Sequence, residues 1–149
     1  MEQLDPPDPL VWDERRLWFE RRQAEASVDG AGKLSEQATA LLIDVQACFC
    51  AGAWIAVVIL AATVVDNQVE ASKQRRAAPA EELRWLRALR NRLVHEDRTA
   101  PVLTIEAQWS ERREWERSAK RAVDLVFAVF YPRGRAVDSA SVRSQRRPE

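Results

Sequence analysis

The segment Trp85–Asp97, WLRALRNRLVHED, holds the only histidine of the chain, His95, together with Arg87, Arg90 and Arg92. Histidine titrates near neutrality and can take or give a proton. Arginine stays charged and grips a phosphate through parallel N–H groups. On a helix turning about 100° per residue, Asn91 and His95 stand four apart and share a face. Arg90 points about 140° away from His95 on the same wheel, and its long side chain can curl toward the same groove where the helix loosens. An amide, an imidazole and a guanidinium at one helix end suit cleavage of an RNA phosphodiester. In that reaction the 2′-hydroxyl loses a proton, the 5′-oxygen gains one, and charge on the phosphorane must be held. No metal or other cofactor is required, and a chain with one histidine has no multi-histidine metal site. The plainer account of these residues is a histidine favoured at a helix C-terminus by the dipole, and an arginine-rich face turned to water.

The elements that must position these residues follow from the rest of the 149-residue chain. That length suits one domain large enough to fold without a disulfide or metal staple. Four glycines exclude a Gly-rich phosphate loop or a turn-dense β-sandwich. The opening MEQLDPPDP reads as an extended lead-in without the pattern of a secretory signal. Asp8 followed by Pro9 predicts a helix entry, and Asp29-Gly30-Ala31-Gly32 predicts its end. Ser35 is the next N-cap. From there to about Arg76 the chain has no proline and one glycine, Gly52, which predicts one long central helix with a weak point near Asn67.

Pro79, followed by Glu81 and Glu82 in a first turn, opens the helix that carries the motif. Its buried stripe is Leu83, Leu86, Leu89 and Leu93, and Thr99-Ala100-Pro101 breaks it after His95. Val102–Ile105 is short and apolar enough to be extended. A closing helix is predicted from about Trp109 to Tyr131, lined by Trp115, Ala119, Ala122, Val123, Val126, Phe127 and Phe130. The sum is an all-α, up-and-down bundle of four to five helices around a long apolar central helix. The domain covers 1–131, and 132–149 reads as a basic, disordered tail.

The 18 residues Cys48–Val65 carry no charge and span roughly 27 Å as a helix, the lower edge of a membrane crossing. A helix apolar all round is buried either in a bundle or in lipid, and periodicity does not choose. Lys+Arg and Asp+Glu are equal at 23 each, yet residues 1–72 carry a net charge of −7 and residues 73–149 a net charge of +7. Of the 23 basic residues 20 are arginine, a composition that favours an anionic partner for the second half. Cys48 and Cys50 read as inert core thiols. Most of the six tryptophans read as packing, with Trp85 and Trp109 the two able to stack on a base if exposed.

Arg90-Asn91-x-x-x-His95 resembles the RNxxxH form of the motif of the HEPN superfamily, small all-α domains of which many are metal-independent RNases in toxin–antitoxin and other defence systems. The resemblance runs from about Ser35 to Tyr131. It takes in a long apolar helix ending in an acidic residue, Asp66, a basic motif helix with a Trp-Leu-x-x-Leu-Arg-Asn run, a polar break and a closing amphipathic helix. It implies a cytoplasmic homodimer in which two motifs meet across a cleft, each chain supplying one histidine and one arginine. Arg90 and His95 would then be catalytic, Asn91 supporting, and Asp66 a further polar support. Arg87 and Arg92 would bind RNA, and an antitoxin or regulatory protein would be a partner. It also draws Cys48–Val65 into a bundle core and away from a membrane. Some toxin members carry a tyrosine two residues after the histidine, the target of a modifying nucleotidyltransferase. Here that position is Asp97, which speaks against control by that route. Three readings remain open: an endoribonuclease, a HEPN-like bundle that binds RNA or protein without catalysis, and a small single-pass membrane protein.

Overall fold

The computed structural model describes residues 5–72 and 78–132. Among the described residues the chain forms six α-helices: α1 Pro9–Ala26, α2 Glu36–Ala51, α3 Trp54–Ser72, α4 Ala80–Val94, α5 Ile105–Ser110 and α6 Arg112–Phe130, with one 3-10 turn at Ser27–Asp29. No strand occurs among the described residues, and the protein is an all-α bundle, with more helices than the four to five the sequence suggests. The tail expected from 132 falls, beyond Pro132, outside the described residues.

Two helix starts lie where the sequence puts them. Asp8 Oδ1 accepts the Leu10 N–H at 2.8 Å, with Pro9 as the first helical residue. Ser35 Oγ accepts the Ala38 N–H at 3.2 Å. The central helix differs. It breaks at Gly52–Ala53, not near Asn67, which stays inside α3. Gly52 adopts φ +75°, its N–H reaches Phe49 O at 3.0 Å, and the Ala53 N–H reaches Cys48 O at 2.9 Å. A glycine that weakens a helix interior closes a helix end at little cost, because only it enters the left-handed region freely. The uncharged stretch Cys48–Val65 is therefore bent across two helices and is not one straight span.

Among the described residues helix α3 alone is long and apolar enough to cross a membrane by length and composition. In the bundle it packs against α2, α4 and α6, and it buries Trp54, Val57, Val58, Ala61, Ala62, Val64 and Val65. The expected closing helix is two pieces, α5 and α6, divided at Glu111. The segment once open to extension instead leads into α5, where Thr104 Oγ1 accepts the Ala107 N–H at 3.0 Å and Ile105 starts the helix. The stripe of α6 is as read: Trp115, Ala119, Ala122, Val123, Val126, Phe127 and Phe130 are all buried. On α4, Leu86 is buried, and Leu83, Leu89 and Leu93 pack against the core.

An aromatic column joins the layers. Phe19 of α1 meets Phe127 of α6 edge-on at 5.1 Å and Phe49 of α2 at 5.7 Å, and Phe49 meets Trp54 of α3 at 5.3 Å. Gln68 is the one buried polar side chain among the described residues. Its Nε2 donates to Lys33 O at 2.7 Å and its Oε1 accepts the Ser35 N–H at 2.8 Å, tying the loop before α2 to α3. Both ends of that amide are satisfied, as a buried amide requires.

Candidate functional site

Helix α4 turns its leucines inward and leaves Arg84, Arg87, Asn91 and Arg92 exposed. It ends at Val94. His95 is the C-cap, donating its backbone N–H to Asn91 O at 3.0 Å, and its own backbone is extended (φ −116°, ψ 102°). The imidazole thus leaves the helical path one residue earlier than the sequence suggests. It stands in solvent and makes no hydrogen bond among the described residues. The loop beyond it is held by Asp97. Its Oδ1 accepts from the Thr99 hydroxyl at 2.6 Å, the Thr99 N–H at 2.9 Å and the Ala100 N–H at 3.4 Å. Those bonds, the Thr99 hydroxyl first, hold the Asp97 carboxyl below the usual carboxylate range. Asp97 is therefore an ordering group for the loop.

Asp66 lies on α3 opposite the middle of α4. Its Oδ1 accepts from Arg87 Nε at 2.9 Å, and its Oδ2 lies 3.5 Å from Arg90 Nη2. Arg90 is about one-third exposed (32%), and its Nε is buried with no partner among the described residues. The arginine turns toward α3, not along the helix toward His95. Beside this triad a cleft of about 670 Å³ runs between α3 and α4, lined by Asp66, Glu70, Leu83, Arg84 and Arg87 among others. The structure therefore brings Asp66, Arg87 and Arg90 together and leaves Asn91 and His95 at the open helix end. Arg92, two residues from Arg90, points about 160° away from it. Among the described residues no three His, Cys, Asp or Glu side chains form a metal-holding group.

The remaining candidates separate by burial. Cys48 and Cys50 are free thiols, and burial pushes both up toward the protonated form. Trp85 lies under Arg121, whose guanidinium carbon is 3.9 Å from the ring centroid, while Trp109 is 53% exposed. Sequence reading does not single out Arg15 and Arg112, which converge on the α2–α3 turn. Arg15 Nη1 donates to Cys50 O at 3.1 Å, and Arg112 Nη2 donates to Gly52 O at 2.6 Å. Their guanidinium carbons lie 4.8 and 6.0 Å from the Trp54 ring centroid. Burial first, and then the Arg15 charge, lower the pKa of Arg112. Nothing in spacing marks these two residues, because they are 97 positions apart and meet only through the packing of α1 against α2 and α6 and of α6 against α3.

Comparison with family models, with curated proteins and with solved structures gives no match. The likeness to HEPN domains rests on the residues named above.

Proposed function

We propose that the chain is a metal-independent endoribonuclease of the HEPN type, acting on single-stranded RNA as a cytoplasmic homodimer with a toxin or defence role. One observation carries the reading. The arginine of Arg90-Asn91-x-x-x-His95 lies 3.5 Å from an acidic residue of the preceding helix, Asp66, while the histidine of the same motif stands free at the helix end.

In this mechanism one protomer's His95 takes the proton of the 2′-hydroxyl, and the 2′-oxygen attacks phosphorus. The phosphorus–5′-oxygen bond breaks, and the departing oxygen receives a proton from the other protomer's His95. The products are a 2′,3′-cyclic phosphate and a 5′-hydroxyl. Arg90 from each chain holds the charge of the phosphorane. Asp66 is a positioning residue that keeps Arg90 extended, and Asn91 orients the imidazole or contacts the phosphate. Arg87 and Arg92 contact the RNA backbone, and an antitoxin or regulatory protein keeps the nuclease quiet.

The test is cleavage of varied single-stranded RNAs in EDTA by wild type, His95→Ala and Arg90→Ala. Wild type should leave a 2′,3′-cyclic phosphate end, and each variant should lose on the order of 10²-fold or more in rate. Equal rates in all three proteins, or an inactive wild type, defeat the proposal.

A second reading is a HEPN-like bundle that binds RNA or protein without cutting. It is favoured by the Asp66–Arg90 pair, which already answers part of the charge a phosphate would need. It expects unchanged RNA affinity in His95→Ala and no cleavage by wild type.

A further inference from the structure

We propose that Trp109, Arg112 and Arg15 form a subsite for one nucleotide of a single-stranded RNA, its base stacked on the Trp109 indole and its phosphate held between the two guanidinium groups. The ligand class rests on the RNA reading above, but the site lies away from the motif residues and stands on its own geometry.

The first observation is charge that the fold answers only in part. Arg15 and Arg112 both lie over the Trp54 ring, and neither forms an ion pair with a carboxylate among the described residues. The Glu116 charge favours the Arg112 cation, but burial and the Arg15 charge outweigh it. Each spends one nitrogen on a backbone carbonyl of the α2–α3 turn. A guanidinium carries five N–H donors in a fixed fork, so both keep donors for an anion placed between them. A phosphate there would also relieve the repulsion between the two cations.

The second observation is the exposed indole beside them. The Arg112 guanidinium carbon is 5.9 Å from the Trp109 ring centroid, and Trp109 is the more exposed of the two tryptophans able to stack on a base. Trp109 also walls a cavity of about 410 Å³ with Leu103, Thr104, Ile105 and Gln108. An indole face, a largely apolar cavity beside it, and a pair of cations are the parts of a base-and-phosphate site.

The third observation is position. Helices α3 and α4 run antiparallel: Val69 and Glu70 lie beside Ala80–Arg84, and Asp66 lies beside Arg87 and Arg90. The His95 end of α4 therefore points toward the Trp54 end of α3, where Arg15 and Arg112 sit. The subsite therefore shares an end of the bundle with the proposed catalytic histidine, so that one strand could reach both.

The experiment measures binding of a short labelled single-stranded oligoribonucleotide to His95→Ala protein by fluorescence anisotropy at several salt concentrations. Trp109→Ala, Arg112→Gln and, as a charge control, Arg113→Gln are introduced into it. Trp109→Ala should weaken binding about tenfold or more, the loss of one base stack. Arg112→Gln should flatten the slope of log affinity against log salt by about 0.7, the loss of one phosphate contact to a single strand, and Arg113→Gln should do neither. Trp109 is largely in solvent, so its variant carries the test if Arg112→Gln unfolds. Unchanged RNA affinity in Trp109→Ala overturns the subsite, as does a parent that binds no RNA. Equal affinity for adenosine 5′-monophosphate and the oligonucleotide overturns the assignment to a strand. A wild type that cleaves while Trp109→Ala binds normally removes the subsite and keeps the nuclease. Trp109-dependent binding by a chain that never cleaves keeps the subsite and removes the nuclease.

Discussion

A single carboxylate, Asp66, answers two guanidinium groups from two successive turns of α4. Asp66→Asn keeps the shape and removes the charge. Arg90 is then free to swing, and the rate of RNA cleavage should fall by about tenfold or more, less than in Arg90→Ala, with KM changed less than kcat. Steady-state kinetics on one oligonucleotide decides it, and an Asp66→Asn enzyme with wild-type kcat removes the positioning role. A second carboxylate gives a pH signature. The Glu82 carboxyl is held below its usual range by the two bonds from Arg121, Nε at 2.8 Å and Nη2 at 2.6 Å. A carboxylate whose pKa is depressed by folding stabilises the fold above the unfolded pKa, and that contribution is lost as pH falls through the folded value. Glu82→Gln should therefore be less stable than wild type at pH 7, by up to about 1 kcal/mol for a partly solvated pair. The gap should close as pH falls below the ordinary glutamate range of about 4.3. Denaturant melts of both proteins across that range test it, and a gap that persists at low pH assigns the effect to packing on Trp85 instead.

At the scale of the elements, the decisive position is Gly52. It ends α2 in the left-handed region, and an added Cβ would meet Arg15 Nη1 at 2.7 Å. The arginine end can shift, but doing so loosens its bond to Cys50 O, and the backbone strain remains. Gly52→Ala should cost about 1–2 kcal/mol in a urea melt. No cost would mean that α2 and α3 join as readily in a straight helix, which would restore the continuous apolar span. The helix positions themselves follow local rules. Asp8 and Ser35 cap as their side chains dictate, and the apolar stripes of α4 and α6 are those that periodicity marks. What periodicity misses is the Glu111 division between α5 and α6. No proline or glycine marks it, and both sides continue in helix-forming residues.

For the whole molecule, one core runs through the layers, from Phe19 on α1 to Phe130 on α6, with α3 at its centre. The proposed chemistry needs two histidines, and the chain has one, so activity should require a dimer. Specific activity should fall as the protein is diluted through its dissociation constant, in step with the monomer fraction from sedimentation velocity. Constant specific activity in a preparation that is monomeric by sedimentation would exclude the two-protomer mechanism.

By itself the sequence determined the fold class, the helix starts at Pro9 and Glu36, the inward stripes of α4 and α6, and the motif at the end of a basic helix. Those are local properties: capping oxygens act on amides two or three residues away, and an apolar stripe declares its period within one helix. The tertiary structure alone decided that the apolar stretch bends at Gly52, that Arg90 faces Asp66 and turns away from His95, and that Arg15 and Arg112 meet over Trp54. Each depends on groups from different helices arriving at one place, and a side chain long enough to choose between partners chooses only when the packing has put one within reach.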